Sequence, residues 1–531
     1  MSEELNNVQE TPSTVGKPLS KLDKFFGITK AGSTVRTEII AGIVTFLAMA
    51  YILVVNPNAI LSQNDKAMEW SSIFVATALG AVVGTLLMAF LAKLPLAQAS
   101  GMGLNYSVGA VLGGSLGFAM SYGNIMLLVL ISGILFLLLS VIKVKGVAIR
   151  ELIFDGIPEC VRGAISVGIG LFIAFIGMQN AGLIVSPGFP ILGDPVEVEI
   201  AGEMVTVLPY ITYIPGTLVD LVFFNNYEGV YAAAGAVVCL IGLLSIAVLE
   251  HFKVKGSVII GVVLATLAGI PLGVTQWSNM GWDFWTYFAK FFSFNPAEGG
   301  AFFATFTEGF VFAEGVSIMP LVMTVITFCM IDMFDTMGTV VGCCVPVGLA
   351  DEKGKPLNYN KIMMSDSIAT CTGALFGTST VTTFVESGSG IAAGGRTGLT
   401  ALTTAVLFFL SIFLLPVFAS IPGAAAASAL IYVGVLMLKG IVNIKIDTVK
   451  NAVPAFLTIA MMPLAYSITD GIGFGILSYV IIDVIVYVVD AIKYAVAKDK
   501  ETAVKPVWDL SVITIIVAVL FLVYFFVPTT F

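Results

Sequence analysis

Almost from end to end, this chain repeats apolar runs about as long as a lipid bilayer is thick. A helix crossing the ~30 Å hydrocarbon layer needs ~20 largely apolar residues. Runs near that length lie at residues 39–56, 73–92, 97–119, 124–142, 163–185, 229–248 and 257–273. A second set follows at 316–345, 362–377, 378–392, 397–418, 423–441, 454–468 and 470–490. With 58% hydrophobic and 11% charged residues, against about 25% charged in soluble domains, a string of water-soluble domains is excluded. The chain reads as one all-α polytopic membrane domain with short polar tails. Its first stretch, residues 1–36, is polar and shows no cleavable signal sequence, so it is expected to stay in the cytosol.

Seven runs plus seven gives each half an odd number of crossings, so the halves run through the membrane in opposite directions, which is the condition for an inverted repeat. Lysine and arginine in short loops favour the cytoplasmic side. With the N-terminus inside, only Lys66 and Lys290 of the 25 basic residues fall outside, and the loop at 186–228, with six acids and no base, is external. A further apolar run at 511–528 is either a fifteenth span or an interfacial or docked segment.

Two segments are too rich in glycine and hydroxyls to be plain lipid-facing helices. One reads Gln98-Ala-Ser-Gly-Met-Gly-Leu-Asn105-Tyr-Ser, the other Gly377-Thr-Ser-Thr-Val-Thr-Thr-Phe-Val-Glu386-Ser-Gly-Ser-Gly. Glycine costs ~1 kcal/mol relative to alanine inside a helix, and the β-branched run Thr380 to Thr383 favours extended backbone. Both are expected to break at mid-membrane, where unwound backbone survives only if it is buried in protein or lines a cavity. Broken helices at matching places in two halves point to a transporter's site. Tight packing through small residues, the role expected of Gly80 and Gly84, does not account for a glutamate in the middle of the second segment.

Glu386 carries the most information. An ionisable group near the bilayer centre costs at least ~2.5 kcal/mol, so a pathway or partner must compensate it. Burial favours the neutral form of a carboxyl group, which suits a proton carrier. Asp332 and Asp335 are three residues apart on one expected helix and share a face; local capping or pairing is the competing explanation, stronger for Asp332 than for Asp335. Asp366, at the start of its run, reads as a carboxylate at a helix N-terminus, and the lone His251 as a solvated loop residue. Asn105-Tyr-Ser matches a glycosylation pattern at a depth where none can occur. The six cysteines lack metal spacing, no dinucleotide fingerprint or phosphate loop occurs, and the bases form no nucleic-acid face. No cofactor, metal or ATP chemistry is therefore expected.

At these residues the chain resembles the AzgA-like purine permeases of the xanthine/uracil permease superfamily. The resemblance spans roughly residues 22–490 and rests on Gly-Met-Gly-Leu-Asn at 101–105, Asp-Met-Phe-Asp-Thr-Met-Gly-Thr at 332–339, the segment at 377–387 and Ala-Ala-Gly-Gly-Arg-Thr-Gly-Leu-Thr at 392–400. It also includes residues 170–182 and 461–468. It implies fourteen spans as a 7+7 inverted repeat with short strands in spans 3 and 10. Within a transporter domain at 37–490, a core (about 39–142 and 316–418) would move against a gate (about 163–273 and 423–490), leaving 491–531 as a C-terminal segment. It further implies that Glu386, Asp335 and Asn105 contact the base with Phe384 stacking on it and Thr383 beside it, and that Glu386, Asp332 and Asp335 handle protons. A carboxylate accepts from ring N–H and amino groups, and an aromatic face stacks on a base. Ser100 and Tyr106 depart from the family pattern, which leaves the choice among purines open.

The expected function is secondary import of hypoxanthine, guanine or adenine, with protons favoured over sodium and no enzymatic activity. An anion transporter on the same fold remains the alternative, followed by a channel or an intramembrane enzyme. The acids at mid-membrane disfavour an anion, and the absence of a matched nucleophile and base disfavours an enzyme. A homodimer is allowed by the sequence but not required by it.

Overall fold

The computed structural model describes residues 21–526, except 63, 65–66, 115–119, 145–146, 186–195, 201–202, 208–219, 222–229, 278–280, 283, 314–315, 317, 345–346, 351–355, 466, 497–504 and 506. Among the described residues, nine helices are long and apolar enough to cross a membrane, from Val35–Ile60 to Asp470–Val496. Four shorter apolar helices accompany them: Met102–Leu112, Ser257–Gly269, Val449–Leu464 and Val512–Val523.

Local chemistry sets several helix ends. The first long helix starts at the Thr34 cap, whose hydroxyl accepts from the Thr37 N–H at 3.2 Å, and it is interrupted at Tyr51 before Ile52–Ile60. Tyr122–Val141 opens on a capping box between Ser121 and Asn124. The Asn124 amide also donates to the carbonyls of Glu308, Gly309 and Val311 at 3.2, 3.0 and 2.9 Å, which ties residues 308–311 to this helix.

The glycine-rich segments leave the helix where helix propensity is poorest. Gln98–Ser100 and Val381–Thr383 are extended and pair antiparallel, with Gln98 opposite Thr383 and Ser100 opposite Val381. Each strand then turns into a short helix, Met102–Leu112 and Ser387–Ala392. Gly80 and Gly84 let helix Trp70–Leu87 lie against both strands: a Cβ at Gly84 would meet Gln98 Oε1 and Val381 Cγ1, each at 2.9 Å. Gly377, at φ 83°, turns the chain between helix Tyr359–Phe376 and the second strand. On the other side, the buried Glu38 carboxylate accepts from the N–H groups of Arg396 and Thr397 and from the Thr400 hydroxyl at 2.9, 3.1 and 2.6 Å, so the first helix is fastened to the turn after the second segment.

Three regions differ from the sequence reading or fall beyond it. Most of the expected external loop at 186–228 lies outside the described residues; what is described includes the hairpin of Val196–Ile200 with Glu203–Val207. Between the two sets of runs stands a short amphipathic helix, Phe284–Phe291, too short to form a 20-residue apolar run. The C-terminal run forms helix Val512–Phe526, ~22 Å long at 1.5 Å per residue and packed against Ile149–Gly156 and Ile468–Val496.

Candidate functional site

The paired strands hold two kinds of buried acid. Asp366 sits in the middle of helix Tyr359–Phe376, fully buried. Its Oδ1 accepts from Gln98 Nε2 at 2.6 Å and from the Thr383 hydroxyl at 3.1 Å, and its Oδ2 from the Thr336 hydroxyl at 2.7 Å. Thr336 also meets Thr382 at 2.7 Å. One carboxylate thus joins both strands to helix Ile318–Cys344. The expectation of a helix-terminal cap is corrected here: the helix begins at Tyr359, and Asp366 lies ~10 Å along it at 1.5 Å per residue.

Glu386 stands three residues beyond the last residue of the second strand, just before helix Ser387–Ala392, and is 4% exposed. Its Oε1 accepts from the Tyr51 hydroxyl at 2.6 Å, while Oε2 is buried without a protein partner among the described residues. Tyr51 comes from the interruption in the first helix, so a break in one element orients the acid in another. A cavity of about 430 Å³ reaches Glu386 between Val44, Ala48, Tyr432 and the turn Lys253–Val258.

Asn105 is buried on helix Met102–Leu112; its Oδ1 accepts from the Ser379 hydroxyl and its Nδ2 has no partner among the described residues. Asn56 joins the same cluster, donating to Thr77 and Thr378 at 2.6 and 2.8 Å. The Ser100 hydroxyl meets that of Thr378 at 2.7 Å, and the Thr380 hydroxyl is buried and unpaired among the described residues. Unpaired buried donors and acceptors are rare in folded proteins. Here Glu386 Oε2, Asn105 Nδ2 and Thr380 Oγ1 gather around one pair of strands.

Two long matches to known permeases decide what kind of protein carries this arrangement: the permease family model of the xanthine/uracil type matches residues 36–217 and 218–474. The chain belongs to the xanthine/uracil permease family. This permease is 34% identical over 476 residues to the adenine permease AdeP of Escherichia coli, covering 90% of this chain and 93% of that protein. It is 36% identical over 463 residues to the guanine/hypoxanthine permease PbuO of Bacillus subtilis, covering 86% and 93%. Among solved structures, the transmembrane domain of the cyanobacterial bicarbonate transporter BicA superposes with a TM-score of 0.54 at 15% identity, covering 83% of this chain and 97% of that one. That likeness concerns the fold. The permease is a multi-pass membrane transporter, and neither the family nor these relatives are enzymes.

The other expected site residues divide by their surroundings. Asp335 is half-buried in helix Ile318–Cys344, with Glu386, Asp332 and Asp366 as acidic neighbours. Asp332 is buried; its Oδ2 accepts from the Thr370 hydroxyl at 2.7 Å and its Oδ1 is unpaired among the described residues. Thr383 turns its hydroxyl to Asp366 and so stands on the scaffold side of the strand. Phe384 is buried and donates its N–H to the Ala97 carbonyl at 3.0 Å. His251 is exposed at the end of helix Val230–His251. Residue types alone give Tyr51 and Gln98 no role of their own and give Asp366 the wrong one. The first two sit in or beside apolar runs with no signal of their own, and the third looked like a cap.

Proposed function

We propose that this permease imports purine nucleobases, among them hypoxanthine, guanine or adenine, by secondary transport coupled to protons. The observation that carries the reading is Glu386: a buried carboxylate with one oxygen fixed by Tyr51 and the other unpaired, bordering a cavity, while the helix after the paired first strand carries an asparagine whose amide donor is also unpaired. A purine offers ring N–H and amino donors to such an oxygen and ring nitrogens or a carbonyl to such an amide. The substrates named for the adenine and the guanine/hypoxanthine permeases support the same class.

In this reading Glu386, Asp335 and Asn105 contact the base, Phe384 stacks on it, and Thr383 frames the site from its scaffold side. Glu386, Asp332 and Asp335 exchange the proton. Fourteen spans in two inverted sets of seven form a core (39–142, 316–418) that moves against a gate (163–273, 423–490), with the N-terminus cytosolic. Lys253 and Lys255, at the mouth of the cavity that reaches Glu386, then mark its cytoplasmic side. A homodimer would leave this site within each chain.

Uptake of labelled hypoxanthine, guanine and adenine, in cells lacking their own purine permeases, tests the reading. Uptake should survive replacement of sodium by potassium and collapse with a protonophore. A strict sodium requirement would overturn proton coupling, and no uptake of any of the three would overturn the purine assignment. Cysteines introduced at Glu199 and Lys445 report orientation: an impermeant reagent should reach the first in intact cells and not the second.

A further inference from the structure

A second cavity, of about 560 Å³, is bordered by Asn58, Trp70, Tyr106, Asn180 and Gly423. Both cavities border helices Val35–Ile60 and Gly423–Val442. The one that reaches Glu386 touches them at Val44, Ala48, Tyr432 and Leu436, and this one at Val55, Asn58, Gly423 and Leu430, nearer the other end of each. Among the described residues, no charged side chain lines the second cavity, a lining that suits a neutral ligand.

The polar groups are arranged. Asn58 uses its Oδ1 to accept from the Trp70 indole N–H at 2.7 Å, which leaves its Nδ2 as a donor. Asn180 uses its Nδ2 to donate to the Tyr106 hydroxyl at 2.8 Å, which leaves its Oδ1 as an acceptor. Neither remaining group has a partner among the described residues. The indole is held in place by stacking on Phe74, with ring centroids 5.5 Å apart and planes 25° apart. The cavity therefore presents one carboxamide donor, one carboxamide acceptor and fixed aromatic rings, at a size within the roughly 300–1,000 Å³ of small-molecule sites.

We propose that this cavity is a second nucleobase site, a vestibule that takes a neutral planar base through an amide edge, N–H beside C=O, before it passes Tyr106 towards Asn105 and Glu386. The proposal rests on the purine reading above and adds to it a place, a polarity and a named edge. A carboxamide pair matches an amide edge as asparagine matches the edge of a base in nucleic-acid recognition, and an aromatic wall accepts the ring face. Tyr106 is a positioning residue in this vestibule, since its hydroxyl accepts from Asn180 Nδ2 and so leaves that carboxamide's oxygen as the free acceptor.

Gly423 provides the probe, because a Cβ added there meets nothing within 4 Å. All six native cysteines are buried or half-buried, so the parent protein sets the background. Purified, detergent-solubilised Gly423→Cys protein would be reacted with a maleimide over a range of hypoxanthine concentrations. The same would be done with Glu386→Gln added, to remove the first site. Hypoxanthine should slow labelling in both, and Asn58→Leu or Asn180→Leu should raise the half-protecting concentration about tenfold, the loss of one hydrogen bond to a ligand. Protection that disappears with Glu386→Gln would overturn the second site, since it would then report a shape change driven from the first. Absence of protection in a Gly423→Cys protein that still transports would overturn it as well. Failure of the purine reading looks different: no labelled purine would bind in a Glu386-dependent way to the otherwise unaltered protein.

Discussion

Asp366 and Glu386 are both carboxylates buried within one strand's length of each other, yet their surroundings differ in kind. Asp366 receives three hydrogen bonds, spread over both oxygens, from Gln98, Thr383 and Thr336. Glu386 receives one side-chain hydrogen bond, from Tyr51, and keeps an oxygen in reserve. A carboxylate with both oxygens engaged by side chains from three segments holds those segments together. One that is half engaged still has an interaction to form, with a ligand or with a proton. Under the proposed function, the first belongs to architecture and the second to transport.

Removing Asp366 should have the largest effect. Asp366→Ala strips three buried donors of their acceptor, at about 1–3 kcal/mol for each left unsatisfied. The expected result is loss of monodisperse protein in size-exclusion chromatography after extraction. An Asp366→Ala protein that stays folded, binds purine and fails only to accumulate it would break the comparison, by making Asp366 a proton carrier.

Glu386→Gln should leave the fold intact and act on binding. It exchanges charge-assisted hydrogen bonds for neutral ones about half as strong, and the expected loss is roughly 10- to 100-fold in equilibrium affinity for hypoxanthine, with an unchanged melting temperature. Normal binding with failure only against a gradient would reduce Glu386 to a proton relay and move the base to Asp335 and Asn105.

Tyr51→Phe sharpens the comparison by freeing the engaged oxygen of Glu386. Losing one hydrogen bond to a charged group, about 1.5 kcal/mol or more, should weaken binding about tenfold, with adequate expression. If Tyr51→Phe instead matched Asp366→Ala in loss of folded protein, Tyr51 would belong to the scaffold. The smallest effect is expected at Lys445, whose ion pair with Glu159 spans 3.0 Å between side chains that are 63% and 57% exposed. Exposed pairs of this kind contribute about 0.2–1 kcal/mol, so Lys445→Ala should change uptake by less than about twofold.

What the sequence revealed follows the same division. Glu386, Asp335 and Asn105 stood out because polar groups in apolar, glycine-rich runs have no inexpensive structural explanation. The glycines and the β-branched run at Thr380 to Thr383 likewise showed where helices fail. Asp366 was misread because its helix starts in the polar stretch Tyr359–Lys361, ahead of the apolar run that served to place it. Tyr51 was invisible, since a tyrosine between Ala50 and Ile52 looks like any core residue until its hydroxyl meets Glu386. The contact of the Thr383 hydroxyl with Asp366 follows from the register that sets Thr383 opposite Gln98, which residue types alone do not show. Composition shows which residues are out of place; it does not show which neighbours satisfy them.

The pairing of Gln98–Ser100 with Val381–Thr383 has a further consequence for how the molecule comes to exist. Gln98 and Thr383 are 285 residues apart along the chain. At the usual ~5–20 residues per second of synthesis, the first strand waits on the order of 15–60 s for its partner. During that interval its backbone donors and acceptors stand unpaired, and in hydrocarbon each would cost several kcal/mol. The newly made first half must therefore hold this stretch in water, in a lipid-shielding partner of the insertion machinery, or in a temporary fold of its own. The strand pair cannot close before residue 383 has been made, and a chain released before residue 381 lacks it altogether.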